Sequence, residues 1–187
     1  MKKGLLCAVL LSAITLAWCC CNENKQEVDQ TSQNFISYDN ETMNELQNKQ
    51  EISELVTTFS IYADQMKLRE QSELFTEDGV LIPYMWNEKS GEMHGREEIY
   101  QSCYNFMSLF DTAHHMNGQH LITLIDDTHA TWTAYNTTTL IWTNEEWVRI
   151  ATKNYIYYND TYEKVDGKWL ISSRESHFVY TETVPVQ

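Results

Sequence analysis

ELFTEDGVLIPYMWNEKSGEMHGREEI, Glu73 to Ile99, is the stretch on which the fold turns. Its opening residues predict the end of an amphipathic helix near Phe75. Asp78 and Gly79 predict a turn, because both residue types tolerate the backbone conformations that turns require. A short apolar strand, Val80–Tyr84, follows, and a polar loop carries the chain to Gly95. Arg96–Phe110 then predicts a second amphipathic helix that buries Ile99, Cys103, Phe106, Met107 and Phe110. Before this stretch the chain reads as export signal, tether and helix; after it, as strands.

On the C-terminal side, apolar and polar residues alternate. His115–Ile125 ends at Asp126-Asp127, a turn signal, and Thr128–Thr143 alternates next. Ala130, Trp132, Ala134 and Asn136 share one face there, with Thr131, Thr133, Tyr135 and Thr137 on the other. Asn144-Glu145-Glu146 forms a hairpin loop, and Trp147–Val165 is a long, tyrosine-rich strand or a bulged pair of segments. Asp166-Gly167 is a tight hairpin turn before the last strand, Lys168–Tyr180. Long sequential strands with short turns predict an antiparallel meander, and strands this long must twist and bulge. The expected fold class is α+β: three N-terminal helices packed on a curled, mostly antiparallel sheet, with a cone-shaped cavity between them.

On the N-terminal side, Glu45–Met66 predicts the first helix. Ile52, Leu55, Phe59, Tyr62, Ala63 and Met66 form its buried face, with Glu51, Glu54 and Asp64 opposite. Leu68–Phe75 predicts a short helix. Residues 21–44 are rich in Asn, Gln, Glu and Ser, too polar to offset the entropy of ordering, and are expected to be a flexible tether. Residues 1–20 carry Lys2 and Lys3, then an apolar run, Leu5–Trp18, too short to span a bilayer comfortably. That run ends in LAWCCC, which resembles a bacterial lipoprotein signal, although Trp18 stands where a small residue is usual. Cys19 or Cys20 would accept the lipid. The domain, residues 45–184, is thus expected outside the cytoplasm in the cell envelope, touching the membrane only through the anchor.

Of five cysteines only Cys103 lies in the domain, so its core must hold without an internal disulfide. The chain has 187 residues and a net charge of −14; without Lys2 and Lys3, 11 basic residues face 27 acidic ones. Such acidity repels nucleic-acid backbones and anionic lipid surfaces and excludes nucleic acid as a partner.

ELFTEDGVL, HGREEI, AHHMNGQHLI (Ala113–Ile122), DDTHATWTAY (Asp126–Tyr135) and YNDTYEKVDGKWLISSR (Tyr158–Arg174), in this order and spacing, resemble the SnoaL-like branch of the nuclear-transport-factor-two-like superfamily. The resemblance covers about Glu45–Tyr180. It implies an α+β cone with a ligand cavity, often in homodimers. It does not imply one chemistry, because the superfamily holds scytalone dehydratase, steroid isomerases, polyketide cyclases, dioxygenase small subunits and pure binding modules.

Within that resemblance His115 matches the cavity histidine that serves the dehydratase-like members as acid/base. An imidazole in a partly apolar pocket titrates near working pH. Asn117 shares its strand face and would orient a ligand oxygen, and Tyr62 would donate a hydrogen bond to an oxyanion. Trp132, flanked by small Ala130 and Ala134, and Tyr155 are the expected ligand-binding aromatics. Two groups of the dehydratase pattern are missing: Lys67 stands where an inward Asp is expected, and the second histidine falls near Lys153 or Tyr155. Asp64 lies on the solvent side by helical spacing. No metal or other cofactor is expected. His114 and His115 point to opposite faces, and His114 and His120 lie about 20 Å apart along a strand. The expected function is binding of a small hydrophobic or cyclic ligand by a membrane-tethered domain. The alternative is a cofactor-independent dehydratase, isomerase or cyclase with His115 as acid/base.

Overall fold

The computed structural model describes residues 16–186; the segment expected to be a lipoprotein-type signal, residues 1–20, falls largely before them, and the side chains of Cys19 and Cys20 lie outside the described residues. The chain divides into two compact units, Met1–Leu46 and Gln47–Gln187. In the first, helix α1 (Leu16–Asp64) begins well ahead of the expected Glu45 and takes in the whole segment read as a tether, residues 21–44. The described side chains between Gln33 and Gln47 are exposed, as suits a run of Asn, Gln and Glu with no apolar stripe. Among the described residues no helix is long and apolar enough to cross a membrane.

In the second unit the remainder of α1 is followed by a five-residue helix α2 (Leu68–Ser72) and strand β1 (Phe75–Met85). Two short strands, β2 (Glu88–Lys89) and β3 (Met93–His94), lead into helix α3 (Gly95–Met107). Four long strands then complete the chain: β4 (Thr112–Leu124), β5 (His129–Thr143), β6 (Arg149–Val165) and β7 (Lys168–Pro185). The strand expected at Val80–Tyr84 between the second and third helices is the longer β1, and the helix expected over Leu68–Phe75 is shortened to Leu68–Ser72 because β1 begins at Phe75.

The seven-stranded sheet has the order β2-β1-β7-β6-β5-β4, with β3 also paired to β1. All ladders are antiparallel except β1 with β7. Asp78-Gly79 does not turn the chain. It lies inside β1 at a register shift between Phe75 and Val80. Gly79 is needed there because a Cβ would sit 2.9 Å from Phe75 Cβ. Further shifts at Asn117/His120, Tyr155/Ile156 and Thr161/Tyr162 curl the open sheet. At the β6–β7 hairpin both turn residues, Asp166 and Gly167, have positive φ, the geometry that Asp-Gly favours.

The concave face is where the core sits. Ile52, Val56 and Phe59 of α1 pack with Phe75, Ile99, Trp132, Tyr162 and Ile171. A smaller cluster, Ala63, Leu68, Met107 and Leu140, lies beside it. Burial of even-numbered residues of β5 and of β6 from Asn154 to Tyr162 follows the period of two that a half-buried strand requires. On α1 the row Ile52, Val56, Ser60 faces inward, and Met66, expected on the buried face, is 45% exposed because the helix has already ended.

Candidate active site

The inward row of α1 decides the site. Residues four apart stack on one helix face, so Asp64 continues the line Ile52, Val56, Ser60 toward β4. Ser60 donates to Asn117 Oδ1 at 3.1 Å, and one turn later Asp64 meets His115. The Asp64 carboxylate accepts the His115 backbone N–H at 3.1 Å to each oxygen, and His115 Nδ1 lies 2.6 Å from Asp64 Oδ1. Asp64 therefore does not face solvent alone; it completes a carboxylate–imidazole pair. A carboxylate can only accept, so Nδ1 carries the proton and the Nε2 lone pair is left free.

His115 lines a cavity of about 360 Å³ between α1, α3 and the concave sheet. Apolar walls come from Leu81, Met93, Phe106, Met107, Phe110 and Leu140. Polar groups on the wall include Gln71, Ser102, Asn154, Tyr158 and Ser176. Thr181 donates to Asn154 Oδ1 at 3.0 Å, and Gln71 Nε2 donates to the Phe59 carbonyl at 3.0 Å. A dry cavity of about 150 Å³ already accepts benzene. This one has room for a ligand of two linked or fused rings.

Burial holds the His115 imidazole below its ordinary value of 6.5, while the bond and charge of Asp64 pull it partly back. The ring is thus neutral near pH 7, as a base must be. Cys103, also on the wall, is pushed up by burial to about 11 and stays a thiol. Burial likewise raises the Tyr158 phenol to about 12.

Beneath the wall is a second, fully buried pair. Arg174 Nε and Nη2 donate to Asp160 at 3.0 and 2.6 Å, and the Tyr162 hydroxyl donates to the same carboxylate at 2.6 Å. The guanidinium is sandwiched between the rings of Phe59 and Tyr158, 4.1 and 4.6 Å from their centroids. Its Nη1 makes no hydrogen bond among the described residues.

The other expected site residues fall elsewhere. Tyr62 is half-buried but does not line the cavity; Lys67 lies 5.8 Å over its ring. Asn117 is tied up by Ser60 and by Asn136 Nδ2 at 2.9 Å, where β4 changes register. Trp132 is in the core rather than on the cavity wall, stacked on His120 at 4.4 Å and edge-on to Tyr162. Tyr155 points to the opposite face of the sheet, 37% exposed and stacked on Tyr180, because its β6 neighbours Asn154 and Ile156 face in. His114, at 3.9 Å from Asp64 Oδ2, is on that outer side too. Neither Lys67 nor Lys153 reaches the cavity wall, where Asn154 stands nearest the place of the expected second histidine. Two groups of the site escaped the sequence reading: Asp64, which pairs with His115, and Tyr158, which lines the cavity. The buried row of α1 would have shown the first, had Val56 and Ser60 been counted with it.

Helices packed on a curled, open sheet define a fold class, and the comparisons agree on the fold. The SnoaL-like domain family matches residues 44–175, and the chain belongs to that family. A candidate scytalone dehydratase from Novosphingobium aromaticivorans DSM 12444 is 25% identical, with a TM-score of 0.67 over 78% of this chain and 93% of that one. A type 2 hexachlorocyclohexane dehydrochlorinase, LinA, is 15% identical, with a TM-score of 0.63 over 78% and 93%. A candidate aromatic ring hydroxylase from the Novosphingobium aromaticivorans strain is 14% identical, with a TM-score of 0.62 over 75% and 94%. No curated protein matches this chain.

Proposed function

We propose that this domain is a cofactor-independent enzyme that moves a proton to or from a carbon of a small, mostly apolar cyclic molecule, with elimination as the favoured reaction. The observation that carries the reading is the 2.6 Å Asp64–His115 pair on the wall of an apolar cavity. Asp64 supplies the carboxylate that Lys67 does not, which removes the main argument for a purely binding module. Two structural neighbours bear the names of eliminations, of water and of hydrogen chloride, and a base-promoted elimination needs a group that takes a proton from carbon, the role proposed for His115.

In an elimination His115 Nε2 takes the proton, the C–H pair becomes the new double bond, and the leaving group departs from the adjacent carbon with its own pair. Where the leaving group is a hydroxyl, the imidazolium returns the proton to it and water leaves. Asp64 steadies the imidazolium and holds the ring in the tautomer that exposes Nε2. The apolar wall excludes competing water. We further propose that the domain works outside the cytoplasm on a lipid anchor at Cys19 or Cys20; the support is LAWCCC after an apolar leader.

The test is a thermal-shift screen of bicyclic and monocyclic compounds bearing a hydroxyl or halide next to an acidic C–H, with turnover followed for each hit. His115→Ala and Asp64→Asn should retain ligand-induced stabilisation and lose turnover, His115→Ala entirely. Hits that bind wild type and both variants equally, with no turnover in any of them, would leave a binding module.

A further inference from the structure

Helix α2 brings one side-chain amide to the cavity wall, and its two ends have separate surroundings. Gln71 follows Leu68 by three residues, so the two share the buried face of this short helix. Gln71 is 3% exposed and lines the cavity beside Phe59, Ala63, Met107 and Leu140. An amide in such apolar company is costly unless it is paired. Its Nε2 is paired, donating to the Phe59 carbonyl at 3.0 Å. That bond fixes which way round the amide sits, because the carbonyl would repel an oxygen in its place. Oε1 is therefore held at the other end. It takes no hydrogen bond from any described residue, yet it is not shut away from open space as Trp132 Nε1 and Arg174 Nη1 are, so it faces the cavity. The proton transfer at His115 makes no use of it.

We propose that Gln71 Oε1 is a specificity-determining acceptor, and that the substrate carries a hydroxyl or N–H, distinct from its leaving group, which donates to this oxygen. This rests on the proton-transfer reading and narrows its substrate class to ring compounds bearing such a donor. The donor is distinct from the leaving group because a departing hydroxyl has to gain a proton, and an amide oxygen has none to give. A ring without a donor strips Oε1 of water and leaves it unpaired, and an ether or ketone oxygen sets a second lone pair against it. Sites built around a hydrogen bond reject analogues that lack it more sharply than apolar pockets reject an added group. The fixed amide thus selects among ligands that the apolar wall alone would accept alike.

The experiment uses the intact protein with 2-naphthol, 2-methoxynaphthalene and naphthalene, which share a two-ring frame and differ in the donor. The ratio of 2-naphthol to 2-methoxynaphthalene affinity should fall about tenfold from wild type to Gln71→Met, the weight of one buried hydrogen bond. Naphthalene should bind the variant no worse than wild type, since Met keeps the volume. His115 Nε2 is another free acceptor on the wall, so the same ratio is measured on His115→Ala, where it should persist. On wild-type protein labelled at glutamine ¹³Cδ, 2-naphthol should move one resonance downfield and 2-methoxynaphthalene should not, a readout that needs no variant to fold. An unchanged ratio in Gln71→Met, a ratio that collapses in His115→Ala instead, the absence of a glutamine shift, or failure of 2-naphthol to bind would overturn the proposal. A ratio that depends on Gln71, with no turnover of any ring compound carrying both a donor and a leaving group next to an acidic C–H, would sustain the acceptor site and refute the enzyme.

Discussion

Replacing Asp160 by Asn should be among the most damaging single changes in the domain. Asp160 and Arg174 are 0% and 1% exposed, so neither charge has water to fall back on. The carboxylate takes three bonds, two from Arg174 and one from the Tyr162 hydroxyl. Asn keeps the shape and removes the charge, which leaves a guanidinium buried between Phe59 and Tyr158 with no counter-ion. Breaking a buried pair from one side costs about 3–5 kcal/mol. For a domain of this size that corresponds to a fall of about 10–15 °C in Tm. Urea unfolding of wild type, Asp160→Asn, Arg174→Met and the double variant Asp160→Leu/Arg174→Met supplies the measurement, with the slope checked for constancy. Since well-packed apolar pairs often replace buried ion pairs without loss, the double variant should recover about 2 kcal/mol or more over Asp160→Asn. A loss below about 1 kcal/mol in Asp160→Asn, or a double variant as weak as the sum of the singles, would refute the claim that charge compensation is what holds this pair.

Two further outcomes follow from the Asp64–His115 pair. Asp64→Asn removes the carboxylate that partly offsets burial, so the His115 pKa, already below 6.5, should move further down. ¹⁵N-edited NMR of the ring should show the Nδ1–H tautomer losing its dominance; an unchanged titration and tautomer would mean that the contact does not orient the ring. The second concerns stability against pH. Because His115 binds its proton less readily folded than unfolded, its contribution is complete above 6.5 and is lost as pH falls from there through the folded value. The difference in unfolding free energy between wild type and His115→Gln should therefore fall on acidification below 6.5, and a difference that grows there would reverse the assigned sign.

The long strands were legible because alternation over many residues leaves little freedom of register: Thr128–Thr143 was expected and His129–Thr143 is found. What escaped is what alternation cannot encode. Asp78-Gly79 has the composition of a turn, but the pairing of β1 with β7 holds it in the strand as a bulge. Tyr155 lies on the outer face because its β6 neighbours Asn154 and Ile156 are the ones that face in, and alternation alone does not say which face of a strand is the inner one. Asp64 was missed for another reason. Helical spacing assigns a face only relative to a chosen core, and choosing Tyr62 and Met66 rotated the buried stripe away from Val56, Ser60 and Asp64. His115 was visible through family resemblance alone, because a histidine on an alternating strand carries no mark of its partner.

The cavity also decides which of its ionisable groups can work. Arg174 stays charged and its charge is taken up by Asp160. Cys103 and Tyr158 are both raised by burial, to about 11 and about 12, so neither supplies an anion near neutral pH. Tyr158 can then give a hydrogen bond but not take a proton. His115 is shifted the other way, toward its neutral form, and its Nδ1 is occupied by Asp64. One environment thus separates the roles that the proposed function assigns. The same burial that keeps the thiol and the phenol uncharged keeps the imidazole in its basic form, because desolvation always favours the uncharged state and, of these three, only for histidine is that state the one a base needs. In the proposed reaction an apolar wall is therefore part of the chemistry as well as the ligand's container. Placing a carboxylate on the wall at Leu140, which is 1% exposed beside the cavity, would raise the His115 pKa and weaken it as a base at neutral pH, even with Asp64 and Tyr158 intact.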